Sequence, residues 1–324
     1  MTVEPAAAVQ PPWMRFVRRV NLRDYGIVVA FLALFVGLTF ANSHFFTRSN
    51  FANILDQWAA LGLLAIGETI CIIAGVFDLS TGAMVSVTGV VACKVALSTT
   101  PWLGLVAGVA TGLGLGIANG IVIRLTRINS FIGTLAMSIV YAGVAILITG
   151  GNIVTVLDPA FGAVGQHVAL GIKYTGWTFI AFAVLAALLL ARTTFGRYVY
   201  AVGGNAEAAR LSGIRVDLIR GACFALSGVA AGLAGMLLAS RTQSAQANLG
   251  AGMELTAISA AVVGGTSILG GDGAVWRGFL GIMLLAIIGN GFNLLNIDTT
   301  YQQIVYGGLI LIAVAADQLL RRRA

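Results

Sequence analysis

The chain has 324 residues, of which 58% are hydrophobic and only 10% are charged. A soluble protein carries charge on roughly a quarter of its residues, so this composition excludes a soluble globular domain. The net charge of +7 does not indicate nucleic-acid binding, because the basic residues stand in short segments between apolar runs.

Apolar runs of about 20 residues recur along the chain, and each can cross the roughly 30 Å hydrocarbon core of a bilayer as a helix. The ten runs lie at approximately 26–45, 57–76, 79–98, 102–123, 131–150, 175–192, 218–240, 254–270, 275–296 and 301–320. They predict an all-α integral membrane protein with about ten transmembrane helices. The predicted regions are an N-terminal tail over 1–24, a transmembrane domain over 25–320 and a basic tail over 321–324.

The basic residues indicate the orientation of these helices. With the N-terminus in the cytoplasm, 15 of the 19 lysines and arginines fall on the cytoplasmic side, which is the positive-inside bias of membrane proteins. The four on the other side are Arg48, Lys94, Lys173 and Arg241. We therefore expect both termini in the cytoplasm and the largest cytoplasmic connection over residues 193–217.

Asp78 lies between the second and third runs with almost no polar sequence around it. A carboxylate at bilayer depth costs roughly 2.5–3.5 kcal/mol on insertion scales. One interpretation is a tight turn in which Asp78 lies at the cytoplasmic interface and caps the next helix. The other is a role in the transport pathway or its gate.

Glycine recurs at every fourth position of the fourth run, from Gly104 to Gly120. This spacing places a smooth stripe on one helix face and predicts close packing against another helix. A contribution to the lining of a passage is the second interpretation.

A short amphipathic helix is predicted in the connection 193–217. Asn205 is a good N-cap, Glu207 suits the positive end of the helix dipole, and Gly213 suits the C-terminal stop. Leu211 and Ile214 would be exposed on a solvated helix, which favours docking into a groove of another protein. The residues of this predicted docking helix are Asn205, Glu207, Ala208, Arg210, Leu211, Ser212, Gly213 and Ile214.

The eighth run, 254–270, is short and rich in glycine, so a re-entrant hairpin is possible. A hairpin would move Arg277 and the C-terminal arginines outside, so the charge bias favours a segment that reaches the other face, broken or not. Unwound backbone at membrane depth is tolerated where it lines a cavity or is buried in protein. The polar residues predicted near a passage or gate, or alternatively in helix packing and capping, are Asp78, Ser80, Glu254, Asn290 and Asn293.

Catalytic and cofactor sites are not predicted on this chain. No glycine is followed by Lys and then Ser or Thr, as a phosphate-binding loop requires. The three cysteines and two histidines have no metal-binding spacing, and no hydrolytic motif occurs.

Several segments together closely resemble the ribose/xylose-type permeases of ATP-binding cassette (ABC) transporters, in the same order from about residue 45 to 318. The matching segments are Asp78–Ser80 with Gly82, Asn129–Leu135, Thr194–Ile214, Glu254–Ile258, Val263–Ser267 with Gly270–Gly271, and Asn290–Leu295. Two departures leave the substrate undetermined. Phe77 replaces the usual Ile, and Thr81–Ala83 stands where Val-Gly-Ser is common.

The resemblance implies a type II importer permease of the bacterial inner membrane that moves a monosaccharide or related polyol into the cytoplasm. It implies three partners: an ATPase subunit that binds ATP and Mg, a periplasmic sugar-binding protein, and a second permease copy in a homodimer or heterodimer. The helix at 205–214 would then be the coupling helix that receives the ATPase stroke. The alternative, an ion-gradient-driven secondary transporter, would require several charged residues in the spans, and the sequence offers Glu68 and Asp78.

Overall fold

A computed structural model describes residues 22–321, most of which are helical. The helices are α1 (Leu22–Ala41), α2 (Arg48–Ile73), α3 (Thr81–Ser98), α4 (Pro101–Thr126), α5 (Ser130–Thr149), α6 (Pro159–Gln166), α7 (Tyr174–Arg192), α8 (Thr194–Gly204), α9 (Ala206–Leu211), α10 (Val216–Thr242), α11 (Met253–Val263), α12 (Val275–Leu294) and α13 (Thr299–Arg321). Four two-residue strands form two antiparallel pairs: β1 (Val154–Thr155) with β4 (Ser244–Ala245), and β2 (Val168–Ala169) with β3 (Ile172–Lys173).

Seven helices in the described residues are long and apolar enough to span a bilayer: α2, α3, α4, α5, α7, α10 and α12. The apolar part of α1 (Gly26–Ala41) and α11 are shorter. The predicted class, an all-α multi-pass membrane protein, is therefore confirmed. The first predicted span has different bounds, because α1 begins at Leu22, within the predicted tail 1–24, and ends at Ala41. The remainder of that tail and residues 322–324 lie outside the described residues.

The helix in the eighth predicted span ends early, at Val263, and residues 264–274 form a loop. The end is a Schellman motif, in which Gly265 has a φ of +93° and the Thr266 N–H donates to Ala261 O at 3.0 Å. The irregular backbone also lies before the helix, over 246–252. There Gly250 is buried, and its N–H donates to Ser86 Oγ of α3 at 3.0 Å, so this stretch is anchored to protein at that residue.

The glycine stripe of α4 packs directly against two other helices. Gly104 and Gly108 face backbone atoms of α3. Gly112 and Gly116 face the backbone of α10, where a Cβ on Gly112 would collide with Gly228 O. The prediction of close helix packing is confirmed, since a side chain larger than hydrogen would separate these backbones.

Contacts sort the connections between helices into two ends of the bundle. At one end, the α2–α3 connection meets α5 through the Phe77 N–H, which donates to Ser130 Oγ at 3.1 Å. We call this the arginine-rich end, because it carries Arg124, Arg127, Arg192, Arg197, Arg210, Arg215, Arg220 and Arg277. At the other end, Lys173 forms an ion pair with Asp56 at 2.7 Å, and Arg48 donates to Leu170 O at 2.8 Å.

Backbones from three connections meet at the arginine-rich end. The Gly271 N–H of the loop 264–274 donates to Ile73 O, the last residue of α2, at 2.9 Å. Gly203 of α8 also lies against Ile73 O, so closely that a Cβ on Gly203 would overlap it. We call this contact the glycine junction, formed by Gly75, Gly203, Gly204, Gly270 and Gly271.

Candidate functional site

Asp78 lies at the centre of a buried polar cluster between α2 and α3. Its side chain is fully buried, and Oδ1 accepts hydrogen bonds from Ser80 Oγ at 2.6 Å and from the Ser80 N–H at 3.2 Å. Asn119 Nδ2 of α4 donates to the same oxygen at 3.1 Å and to Ser80 Oγ at 2.7 Å. The bond to the Ser80 N–H is that of a side chain stabilising a turn before a helix. Asp78 is therefore not exposed at an interface, and a role in a pathway stays a prediction.

Side chains from α5 and α2 extend this cluster. Tyr141 Oη of α5 donates to Asn119 Oδ1 at 2.9 Å. Glu68 of α2 is also fully buried, and its carboxylate accepts long bonds of 3.5 Å from the Asp78 N–H and from Thr81 Oγ1. Buried polar groups are stable when such partners satisfy them, so the cluster specifies how α2, α3, α4 and α5 meet.

The turn that carries Asp78 is held from outside by α5. Thr134 Oγ1 accepts the Leu79 N–H at 2.9 Å and donates to Ser130 O at 2.8 Å. The bond from Leu79 satisfies a backbone N–H that the break between α2 and α3 would otherwise leave unpaired.

Glu254 approaches the cluster from α11. It lies in the first turn of that helix, half-buried, against Gly82 of α3. A Cβ on Gly82 would collide with Glu254 Oε2 and would also come within 2.5 Å of Gly250 O, a backbone atom, so the close approach of the segment before α11 requires glycine there. Asp78, Ser80 and Glu254 thus lie in one region, as candidates for a common pathway would have to.

Asn290 and Asn293 lie at the opposite end of the bundle. Asn290 forms a reciprocal amide pair with Asn50 of α2, with N···O distances of 2.8 and 2.9 Å. Asn50 is separated from Ile73 by nearly the whole of α2, or about 35 Å at the rise of an α-helix. Asn293 is exposed near the end of α12. The structure therefore does not bring these two asparagines to Asp78, and the contacts of Asn290 are those of helix packing.

Sequence reasoning missed Asn119, Tyr141 and Thr134 as members of the cluster. The available signal was Asn119, the one strongly polar side chain of α4 before Arg124. The spacing of its neighbours Gly116 and Gly120 predicts helix packing and does not indicate a polar cluster. Within residues 22–321, no group of three or more His, Cys, Asp or Glu side chains is arranged to hold a metal ion.

Replacing Asn119 with alanine should destabilise the protein by about 1–3 kcal/mol, the usual cost of leaving buried polar groups unsatisfied. The measurement is thermal or denaturant unfolding of the purified chain in detergent. Asn293→Ala is the matched control, because it gives a similar gain in helix propensity at an exposed position. Equal stability of the two variants would show that the cluster is not held by Asn119.

The predicted helix at 205–214 forms as α9, with the expected caps. Asn205 Oδ1 accepts the N–H groups of Glu207 at 3.1 Å and Ala208 at 2.9 Å. Gly213 has a φ of +85°, and the Ile214 N–H donates to Ala209 O at 3.0 Å, which completes a Schellman motif. The helix is six residues long, slightly under two turns.

Only one of the two predicted apolar docking residues is exposed. The Leu211 side chain is 82% exposed. Ile214 instead packs on Val202, Ala209 and Val216, so the prediction that Ile214 would be exposed is wrong. The Schellman turn brings Ile214 back onto the helix it follows, and this contact attaches α9 to α8 and α10.

Comparison with known proteins identifies the family. The family described as "Branched-chain amino acid transport system / permease component" matches residues 50–314. The chain is 36% identical over 320 residues to the L-arabinose ABC transporter permease protein AraH of Azospirillum brasilense, covering 98% of this chain and 94% of that protein. No solved structure matches the chain.

Two ribose permeases are equally similar. The ribose import permease protein RbsC of Escherichia coli K12 is 35% identical, covering 94% of this chain and 96% of that protein. RbsC of Bacillus subtilis is 38% identical, covering 92% and 93%. These matches extend over the buried cluster, the capped helix α9 and the broken segment before α11. The chain therefore belongs to the family of ABC transport-system permease components.

Proposed function

We propose that this chain is the transmembrane permease of an ABC importer that moves a monosaccharide or related polyol into the cytoplasm. The observation that carries the proposal is the similarity, over nearly the whole chain, to arabinose and ribose permeases. Pentoses are therefore the first substrates to test. A permease component is a transport subunit and not an enzyme, and ATP is hydrolysed by a separate ATPase.

The proposed topology has about ten crossings with both termini in the cytoplasm. The arginine-rich end would be cytoplasmic, in keeping with the positive-inside bias. The other end would face the periplasm. There Lys173 and Arg241 donate to Asp56, and Arg48 donates to Leu170 O. In this arrangement the broken segment and α11 together make one crossing.

The proposed partners bind at opposite faces. At the cytoplasmic face, α9 would dock into the ATPase through the exposed Leu211, with Asn205 and Gly213 fixing the ends of the helix. At the periplasmic face, a sugar-binding protein would deliver the substrate. A second permease copy would complete the passage, and Asp78, Ser80 and Glu254 are proposed to lie near it or its gate.

Uptake by the reconstituted complex tests the proposal. The permease, its ATPase and its binding protein are placed in proteoliposomes, and entry of labelled ribose, arabinose, xylose and a hexose is measured. We expect ATP-dependent uptake of at least one sugar, abolished when the ATPase carries an inactive phosphate loop. Uptake that persists with the inactive ATPase and stops when a protonophore collapses the proton gradient would overturn the proposal in favour of a secondary transporter.

A further inference from the structure

A cationic cavity of about 460 Å³ opens at the arginine-rich end between α4, α9 and α10. Four guanidinium groups and one carboxylate line it: Arg124, Arg127, Arg210, Arg220 and Asp217. An excess of positive charge in a concave site attracts an anion.

Two of these four arginines have neither a carboxylate nor a carbonyl partner for the side chain within the part of the chain that the structure describes. Arg210 forms an ion pair with Glu207 at 2.9 Å, and Arg220 Nε donates to Ala74 O at 3.4 Å. Arg124 and Arg127 form no ion pair with any residue that the structure describes. Their charges are free to bind a ligand from outside the chain.

An apolar groove of about 240 Å³ continues from the cavity along the outer surface of α4 and α10. The two share Gly120, Arg124, Asp217 and Gly221. The other groove residues are Ile117, Ile121, Leu218, Ala222 and Ala225. On the α10 side the groove is lined by the small residues Gly221, Ala222 and Ala225, so it forms a depression between two membrane-spanning helices.

We propose that this composite site binds one anionic glycerophospholipid of the bilayer, with its phosphate on Arg124 and Arg127 and an acyl chain in the groove. The polar cavity and the apolar groove match the two halves of such a lipid in charge and polarity. Basic pockets between transmembrane helices on the cytoplasmic side are known to hold anionic headgroups. A free anion would use the cavity but not the groove.

An occupied site has a consequence for α9. Arg210 belongs to α9, whereas Arg124 belongs to α4 and Arg220 to α10. A phosphate held among them links the three helices and restrains the position of α9 at the surface of the bundle.

Lipid binding to the purified full-length chain tests the proposal, by native mass spectrometry with phosphatidylglycerol, phosphatidylcholine or inorganic phosphate. The variant R124Q/R127Q should weaken phosphatidylglycerol binding about 30-fold and leave phosphatidylcholine unchanged. The matched control is R192Q/R197Q, which removes two exposed charges from the same end but outside the cavity. Ala222→Trp, which fills the groove, should also weaken phosphatidylglycerol, whereas Ala181→Trp on the exposed face of α7 should not.

Three results would overturn the proposal. The first is equal phosphatidylglycerol binding by R124Q/R127Q and R192Q/R197Q. The second is inorganic phosphate binding that R124Q/R127Q abolishes, together with lipid binding that Ala222→Trp does not change, which would make this a free-anion site. The third is loss of lipid from the complex with the ATPase together with a cross-link from position 124 to that subunit, which would assign the arginines to a protein contact.

Discussion

Replacing Leu211 with aspartate should abolish association with the ATPase subunit and ATP-dependent uptake, while the permease still folds. Leu211 is 82% exposed, so the change has almost no contacts to break within the chain. In a docked complex the same position would bury a charge without a partner, and a central apolar residue of an interface contributes about 2 kcal/mol or more. We therefore expect at least a roughly 30-fold loss of affinity, measured by co-purification and by the dissociation constant in detergent.

Leu157→Asp is the matched control for this experiment. Leu157 is 85% exposed and lies in the connection between α5 and α6, at the end of the bundle away from α9. It should leave ATPase association unchanged. Ile214→Asp is unsuitable as a docking variant, because Ile214 packs on Val202 and Val216 and its loss would disturb the chain itself. Normal co-purification of the ATPase with the Leu211→Asp variant would contradict the proposal that α9 is the coupling helix.

Replacing Gly228 with valine should prevent α4 and α10 from packing and should nearly eliminate folded protein. A Cβ on Gly228 would collide with Gly112 O and come within 2.8 Å of Gly116 Cα. Backbone atoms cannot move aside as side chains do, so we expect destabilisation at or above the upper end of the usual cost of overpacking, about 3 kcal/mol. Fluorescence-detected size exclusion and thermal unfolding in detergent measure the effect.

Gly114→Val provides the comparison within the same pair of helices. Gly114 is exposed on α4, and a Cβ there would meet nothing within 4 Å. Valine at this position should leave folding close to wild type, because the helix propensity of valine is not lower than that of the glycine it replaces. If the Gly228→Val variant folded as well as the Gly114→Val variant, the result would contradict the close backbone packing of α4 against α10.

Much of the architecture could be predicted from the sequence, because the bilayer imposes length and polarity on every span. The glycine stripe of α4 and the caps of α9 followed from local chemistry that leaves its mark at fixed spacings. The bounds of α11 did not follow, because hydropathy does not distinguish helix from irregular backbone after Val263. The predicted run also began at 254 and so left out the irregular segment 246–252.

The candidate site was predicted less completely, for a physical reason. The sequence prediction placed polar residues from distant parts of the chain in one candidate site because they are polar. Which of them are in contact is decided by the packing of the helices. Asn119 joins Asp78 although 41 positions separate them, whereas Asn290 pairs with Asn50 at the other end. Likewise the Schellman turn partly buries Ile214 against neighbouring helices, which the exposure pattern of a single helix does not predict.

The glycine junction affects how a displacement of α9 by a partner protein would be transmitted through the helix bundle. Contacts made by side chains yield under load, because rotamers can change. At Gly203 and Gly271 the peptide backbone lies directly against Ile73 O, four positions before Phe77, where the turn of Asp78 begins. We therefore expect that a displacement of α9 moves the turn of the buried Asp78 carboxylate by nearly the same distance.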